Sequence, residues 1–298
     1  MHLLMLITAL TIAYTLRYSA HIPKGNWHLR WSRTLFFFLF PPLLILMTVM
    51  SVVCMGTQGQ MGGIYTDYFS YVLGWLFLVF LVFTALRLAW QGWRSLKSAR
   101  ECPTINLIGQ SARLLPTPAL FAGQIGFWSP ELVVSQGLLK HLSPEQLESV
   151  LAHEQGHYSY RDTFCFFWLG WIRSCSACLP NTEPLWQELL MLRELRADSY
   201  AAARVDPLVL AESLLLVVSS QPLAWDICCA ALSSSKVDRL EQRIDALLAF
   251  SEPNWPEWDL KSKLHYWRVF ALALLPLVTV FSTVRRLAIM NSIAVDAY

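Results

Sequence analysis

Residues 153–157 read His153-Glu154-Gln155-Gly156-His157, which is the pattern H-E-x-x-H. Positions i and i+4 of a helix share one face, so both imidazoles can bind one metal ion there. Glu154 follows the first histidine and can take a proton from a water molecule beside that metal. The pattern therefore predicts a metalloprotease site, and the alternative is a chance match between two surface histidines.

The sequence around this motif predicts that it lies on a helix, as metal binding by both histidines requires. Ser143 suits the N-cap, Pro144 the first turn and Gln146 the capping-box position of that helix. Apolar residues at helical spacing follow at Leu147, Val150 and Leu151. This context favours the metalloprotease interpretation over a chance match.

The chain is too apolar for an ordinary soluble domain. Its 298 residues are 55% hydrophobic and 15% charged, and the mean hydropathy is +0.42, which predicts membrane spans. Residues 91–267 hold 15 basic and 19 acidic side chains, so this part carries no nucleic-acid-binding footprint. The seven cysteines have no disulfide-framework spacing and favour a reducing compartment.

Four apolar runs predict transmembrane helices, at residues 1–16, 34–55, 69–90 and 269–284. The first run has neither a basic n-region nor a small-residue cleavage site, so it predicts a retained helix rather than a signal peptide. The predicted domains are three membrane helices in residues 1–90, a protease domain in residues 91–267, and a fourth membrane helix with a short outer tail in residues 268–298.

Basic residues beside the spans predict the orientation of the chain in the membrane. The first loop, residues 17–33, carries four basic side chains, whereas the second loop carries none. We therefore expect a multi-pass protein of the plasma membrane, with its N-terminus outside and residues 91–267 in the cytoplasm. Arg285 and Arg286 fall on the outer side of this arrangement and disagree with the rule.

Within a mainly α membrane protein, residues 91–267 are expected to form a cytoplasmic α+β, zincin-like metalloprotease domain. Short strands are predicted between residues 104 and 135, with 119–122 and 132–134 as candidates. One strand is expected either to pair with an extended substrate or to belong to a purely structural sheet. Helices are predicted at residues 144–163, 184–204, 207–220 and 236–250. Residues 164–179 could form a fifth span, but Arg173 and the short length favour a buried or membrane-apposed helix.

A catalytic zinc ion usually takes three protein ligands, and the motif supplies two of them, His153 and His157. Glu194 and Asp198 stand four residues apart on a predicted helix, which favours Glu194 as the third ligand and Asp198 as the partner of a ligating histidine. The competing third ligands are Glu188 and Glu212. The side chain that stabilises an oxyanion is left open among Tyr200, Arg196 and Arg243.

Several short segments carry a family resemblance: Trp128–Val134, Leu142–Leu147, His153–Tyr158, Arg161-Asp162, Pro184-Leu185-Trp186 and Arg193–Asp198. Through them, and through its predicted four-span layout, the chain resembles the integral-membrane zinc metalloproteases of the Bla/Mec antirepressor family. The resemblance implies zinc bound by His153, His157 and Glu194, and cleavage of a cytoplasmic transcriptional repressor in response to an outside signal. The zinc-ligand pattern is also similar to that of the CAAX prenyl endopeptidases and the HtpX heat-shock membrane proteases.

The β-lactam sensors of that family carry an extracellular penicillin-binding domain after the fourth span. About 14 residues follow the fourth predicted span here, without a Ser-x-x-Lys motif. We therefore expect a sensor-less type, in which acylation by an antibiotic is not the direct signal.

The predicted function is that of a membrane-embedded zinc metalloendopeptidase whose substrate is a small DNA-binding repressor. Its other expected partner is the lipid bilayer, and no direct binding of nucleic acid is expected. One alternative is a housekeeping protease that degrades damaged membrane proteins. An alternative of another class is a non-catalytic membrane receptor, against which the complete H-E-x-x-H and Glu194 set argues.

Sulfur-containing side chains in the predicted membrane region suggest which signal could regulate the protease. Met47, Met50 and Cys54 fall at i, i+3 and i+7 of the second span and so share a helix face. Thioether and thiolate ligands select Cu(I), which predicts a regulatory Cu+ ion, whereas the alternative is that these residues are ordinary apolar side chains. Cys175 and Cys178 have redox or metal-ligand spacing, but we interpret them as small apolar residues.

Overall fold

The computed structural model describes residues 2–21, 27–56, 60–61, 64–65, 68–219 and 236–249, and these residues are mostly helical with a small sheet. The helices are α1 (His2–Tyr18), α2 (Trp27–Met55), α3 (Tyr68–Arg100), α4 (Gln136–His141), α5 (Pro144–Ser159), α6 (Asp162–Cys175), α7 (Thr182–Ala202), α8 (Pro207–Ser219) and α9 (Lys236–Leu248). The strands are β1 (Gln60–Met61), β2 (Ile64–Tyr65), β3 (Thr104–Leu107), β4 (Gln110–Leu115), β5 (Ala122–Ile125) and β6 (Glu131–Ser135).

The chain divides into two compact units. The described part of the first unit comes from residues before 86 and from residues 172–189. The described part of the second comes from residues 86–171 and from residues after 189. The predicted domain limits at residues 90 and 267 stay a prediction, and the predicted fourth span lies outside the described residues.

Two helices are long and apolar enough to cross a membrane, Leu29–Met55 and Tyr68–Arg100. The predicted first span forms an apolar helix too, Leu3–Tyr18, which is shorter. Large apolar side chains of α3 are exposed, for example Leu76 and Phe83, at 62% and 63%. A soluble protein would bury such a row of side chains, so their exposure fits a helix that faces lipid. The structure thus supports two of the four predicted spans by length and composition.

The predicted polar loop at residues 17–33 is wrong at both ends. Helix α1 continues to Tyr18 and α2 already begins at Trp27. Arg17 is fully buried in the first unit, and its guanidinium donates to the carbonyl oxygen of Phe38 at 3.0 Å and to Oγ1 of Thr182 at 3.2 Å. Because it is buried and both terminal nitrogens have protein acceptors, Arg17 is part of a packed interior and not of an aqueous loop.

The second unit contains a four-stranded sheet in the order β3-β4-β6-β5. Strands β4 and β6 are parallel, while β3 and β5 run antiparallel to their neighbours. Helix α5 packs on this sheet, because Val150 and Leu151 join a buried cluster with Leu132 and Val134 of β6. The sheet therefore supports the helix that carries the H-E-x-x-H motif.

One predicted strand is shifted along the chain. We predicted residues 119–122, whereas β5 covers Ala122–Ile125. The backbone N–H of Phe121 donates to Oγ of Ser135 at 3.0 Å instead of to a strand carbonyl. The carbonyl oxygen of Phe121 still accepts from the N–H of Ser135 at 2.9 Å, so one backbone bond to β6 extends beyond the paired residues. The prediction at 132–134 is confirmed by β6.

The motif helix begins as predicted and ends earlier. Oγ of Ser143 accepts from the N–H of Gln146, and the Gln146 side chain accepts from the N–H of Ser143, which completes the capping box. The predicted helix at 144–163 is interrupted, because Arg161 adopts a left-handed conformation with φ of 53°. Helix α5 ends at Ser159 and α6 begins at Asp162, which brings Asp162 back toward the motif.

Candidate metal centre

Helix α5 presents His153 and His157 on one face. Their Nε2 atoms lie 3.1 Å apart, and the two rings meet edge to face. His153 and Glu154 are buried, each with 8% of its surface exposed. The i and i+4 spacing puts both side chains on this face of the helix.

Helix α7 adds a carboxylate to the two imidazoles. Oε2 of Glu194 lies 3.5 Å from Nε2 of His153, and Oε1 lies 3.8 Å from Nε2 of His157. The three ligand atoms lie within 4.8 Å of one another, and this is the only such group of His, Cys, Asp or Glu among the described residues.

Gly156 lets the two helices come close enough to build this cluster. A Cβ atom at Gly156 would lie 3.2 Å from Cα of Ala197 and 3.3 Å from its carbonyl oxygen. Ala197 stands between Glu194 and Asp198 on α7. Any side chain at position 156 would therefore push the backbone that carries both carboxylates away from the histidines.

Asp162, to which the sequence reasoning gave no role, contacts the Nδ1 side of the His157 ring. Oδ2 of Asp162 lies 2.7 Å from Nδ1 of His157, and Oδ1 of Asp162 accepts from Nη2 of Arg196. Asp162 is buried. Arg161-Asp162 appeared only among the segments of family resemblance, because nothing in its spacing shows that the chain turns back after α5.

His153 has a similar partner, which is the predicted one. Oδ1 of Asp198 lies 2.8 Å from Nδ1 of His153, in an ion-pair contact that is not a well-aligned hydrogen bond. Asp198 in turn accepts from Nε and Nη2 of Arg243, at 2.6 and 2.7 Å. Both imidazoles are thus backed by a buried aspartate that is itself paired with an arginine.

These charges shift the titration of the cluster. Burial lowers the pKa of His153, but Asp198 and Glu194 outweigh burial and raise the pKa to about 9. The pKa of His157 is likewise raised, because Glu194 and Asp162 overcome its burial. Burial would raise the pKa of Glu194, yet Arg193 and the two histidines hold it well below its usual value. Glu194 is therefore ionised.

The donor set fits a zinc ion. Each Nδ1 lies beside an aspartate, so it is the nitrogen that keeps its proton once Nε2 has lost one. Both Nε2 lone pairs then face each other across 3.1 Å, which is unfavourable unless a cation or a proton lies between them. Two imidazoles and one carboxylate are a ligand set of catalytic zinc. His153, His157 and Glu194 thus supply three ligand atoms for one cation.

The other residues considered for this site lie elsewhere or are engaged. Glu188 pairs with Arg30 at 2.7 Å in the first unit, and Glu212 is exposed on α8, so neither joins the cluster. Among the oxyanion candidates, Arg196 and Arg243 contact carboxylates, and the hydroxyl of Tyr200 accepts from Ser159 at 3.2 Å.

The predicted signal-sensing residues lie on α2 in the first unit. Cys54 is exposed, and Met47 and Met50 are half-buried. The helix keeps them at the predicted i, i+3 and i+7 positions.

The cluster has the ligand types of a metal-dependent peptidase, and a comparison with known families supports this class. Residues 114–176 match the model of peptidase family M48, a stretch that runs from β4 past the H-E-x-x-H helix into the next helix. No curated protein matches the chain. The match supports a metalloprotease hydrolase, whereas the narrower Bla/Mec subtype stays a prediction. Glu194, Asp198 and Arg243 lie beyond the matched residues.

Proposed function

We propose that this protein is a membrane-attached zinc metalloendopeptidase. The observation that carries the proposal is the convergence of His153, His157 and Glu194, with Glu154 next to the first ligand on the same helix. The family match supports the peptidase class. The two apolar helices Leu29–Met55 and Tyr68–Arg100 support attachment to a membrane.

In this proposal, His153, His157 and Glu194 hold the zinc ion. A zinc ion held there would supply Lewis-acid chemistry, which favours attack of water on the scissile carbonyl. Glu154 accepts the proton of the attacking water and passes it to the leaving amine. Asp162 and Asp198 keep the Nδ1 protons of the two histidines in place, so that the Nε2 lone pairs stay directed at the cluster.

We further propose that the substrate binds as an extended strand along β5. Within the described residues, β5 pairs with β6 on one side and lies at an edge of the sheet. Helix α5 packs against β5, which keeps this edge close to the catalytic helix. An edge strand offers free N–H and C=O groups to an extended peptide, so cleavage is expected in unfolded or extended segments.

The test is proteolysis by the purified full-length protein in detergent. With zinc present, wild type is expected to cleave fluorescently labelled casein, and a chelator is expected to stop it. Glu154→Gln should keep the zinc, measured by elemental analysis, and lose roughly 10²–10⁴-fold in kcat/KM, because it keeps the ligands and removes the base. Replacing His153, His157 or Glu194 with Ala should remove the metal as well. Equal cleavage by wild type and Glu154→Gln would reject the assignment.

The substrate class proposed from the family resemblance is a small DNA-binding repressor. A repressor encoded beside the gene for this protein is the natural candidate. Membranes that contain wild type should cleave it, and membranes that contain Glu154→Gln should not. Cleavage of misfolded membrane proteins without cleavage of that repressor would favour the housekeeping alternative. Binding of a signal without any cleavage would favour the receptor alternative.

Cleavage of a repressor needs the second unit to face the cytoplasm. In a background without the native cysteines, an impermeant thiol reagent on intact cells should miss a cysteine at position 140 and label one at position 60. The reverse pattern would exclude a cytoplasmic substrate.

The proposed signal is Cu(I) bound by Met47, Met50 and Cys54. Replacing these residues with Leu, Leu and Ala keeps their apolar character and roughly their volume, but removes the sulfur ligands. Loss of a copper-dependent change in repressor levels would support the proposal. An unchanged copper response in this variant, or the lack of a response in wild type, would reject it.

A further inference from the structure

Arg243 of α9 reaches the metal cluster. Nε and Nη2 contact the two oxygens of Asp198 at 2.6 and 2.7 Å, and Nη1 lies 3.3 Å from Oε2 of Glu194. All three guanidinium nitrogens thus contact a carboxylate of α7. The side chain is buried, with 9% of the residue exposed.

The two carboxylates that Arg243 contacts have different tasks in the proposed site. Glu194 is the proposed ligand, and Asp198 backs the ligand His153. The planar guanidinium therefore holds Glu194, a proposed ligand, at a fixed distance from Asp198, the partner of the ligand His153.

We infer that Arg243 is a positioning residue, which holds Glu194 and Asp198 in the orientation that zinc binding requires. The inference rests on the proposed zinc site. Because its three nitrogens already contact carboxylates, Arg243 acts through Asp198 and Glu194 and not on the substrate. The metal site is then incomplete without α9, which follows Glu194 by more than 40 residues of chain.

Charge alone makes the opposite prediction. A guanidinium beside a metal site repels the cation and competes for the Glu194 carboxylate, so removing its charge should tighten zinc binding. A positioning role instead predicts weaker binding, because the ligands lose their orientation. The sign of the change in zinc affinity therefore separates the two effects.

The experiment measures the Kd for zinc of the full-length protein in detergent, by competition with a chromophoric chelator. Arg243→Lys keeps the charge but loses the planar group that contacts both oxygens of Asp198. Arg243→Gln keeps a similar length but loses the charge. The matched control is Arg204→Ala, since Arg204 is exposed and contacts Tyr200 in the same unit. Circular dichroism of each variant checks that it is folded, and if Arg243→Gln does not fold, Arg243→Lys decides alone.

Both Arg243 variants are expected to bind zinc roughly 10- to 100-fold more weakly than wild type, and Arg204→Ala is expected to bind like wild type. A double-mutant cycle with Asp198→Ala should be non-additive, because Arg243 acts partly through Asp198. An unchanged Kd in Arg243→Lys, or tighter binding in Arg243→Gln, would overturn the positioning role while the zinc site stands. Lack of zinc binding by wild type would overturn the proposed function as well.

Discussion

Nε2 of His153 lies 3.1 Å from Nε2 of His157, with an aspartate behind each ring. This distance is close to the roughly 3.3 Å expected between two nitrogens that bind one zinc ion tetrahedrally at about 2.0 Å each. The imidazoles are therefore placed for a shared cation before any ion arrives. Their acidic surroundings have consequences that can be measured.

Zinc affinity should increase with pH. The pKa of His153 is raised to about 9, and a protonated Nε2 cannot bind a metal, so zinc must displace a proton below that pH. Each histidine that must lose a proton should add up to roughly tenfold per pH unit to the apparent affinity, which is expected to rise from about pH 6 and level off above about pH 9. Chelator competition across this range measures it, and a flat profile would mean that the histidines are already neutral at pH 6.

Asp162→Asn should weaken zinc binding by roughly 10- to 100-fold. The amide keeps the shape of the side chain but loses the charge that faces His157 and Arg196. The matched control is Asp206→Asn, since Asp206 is exposed and accepts from the N–H of Leu208 at the start of α8, a role that asparagine can fill. Equal zinc affinity of the two variants would show that Asp162 has no role in metal binding.

Gly156→Ala should loosen the metal site with little change in stability. The new Cβ would press on the backbone of Ala197 at 3.2 Å, while alanine gains about 1 kcal/mol of helix propensity over glycine. The Kd for zinc is therefore expected to rise several-fold, with a small shift in Tm. Gly92→Ala is the control, because no atom lies within 4 Å of a Cβ at Gly92 on α3. If both variants bind zinc like wild type, the close contact between α5 and α7 is not needed for the site.

Replacing Cys175 and Cys178 with serine should leave proteolysis intact under reducing conditions. Both are free thiols in the first unit, whereas the metal cluster lies in the second, so their C-x-x-C spacing is not used in the proposed chemistry. The assay is cleavage of labelled casein by the purified double variant. A large loss of activity would indicate a redox or metal role for this pair.

Local patterns predicted the core of the site. The capping box at Ser143 and the H-E-x-x-H spacing depend on residues three or four positions apart, and helix geometry brings such residues together whatever the rest of the chain does. The same reasoning put Glu194 and Asp198 on one helix face. It favoured Glu194 over its competitors from the spacing to Asp198, but it could not show which helix lies beside α5.

Only the tertiary structure showed which residues position the proposed ligands. The left-handed turn at Arg161 brings Asp162 back to His157, Gly156 lets α7 approach α5, and α9 brings Arg243 to Asp198. Glu188, which had competed with Glu194, pairs with Arg30 instead. Composition and periodicity describe one element at a time, so they predicted the helices and the two histidines. Contacts between elements distant in sequence arise only when apolar faces pack together, and that packing determined which charged side chains surround the metal site.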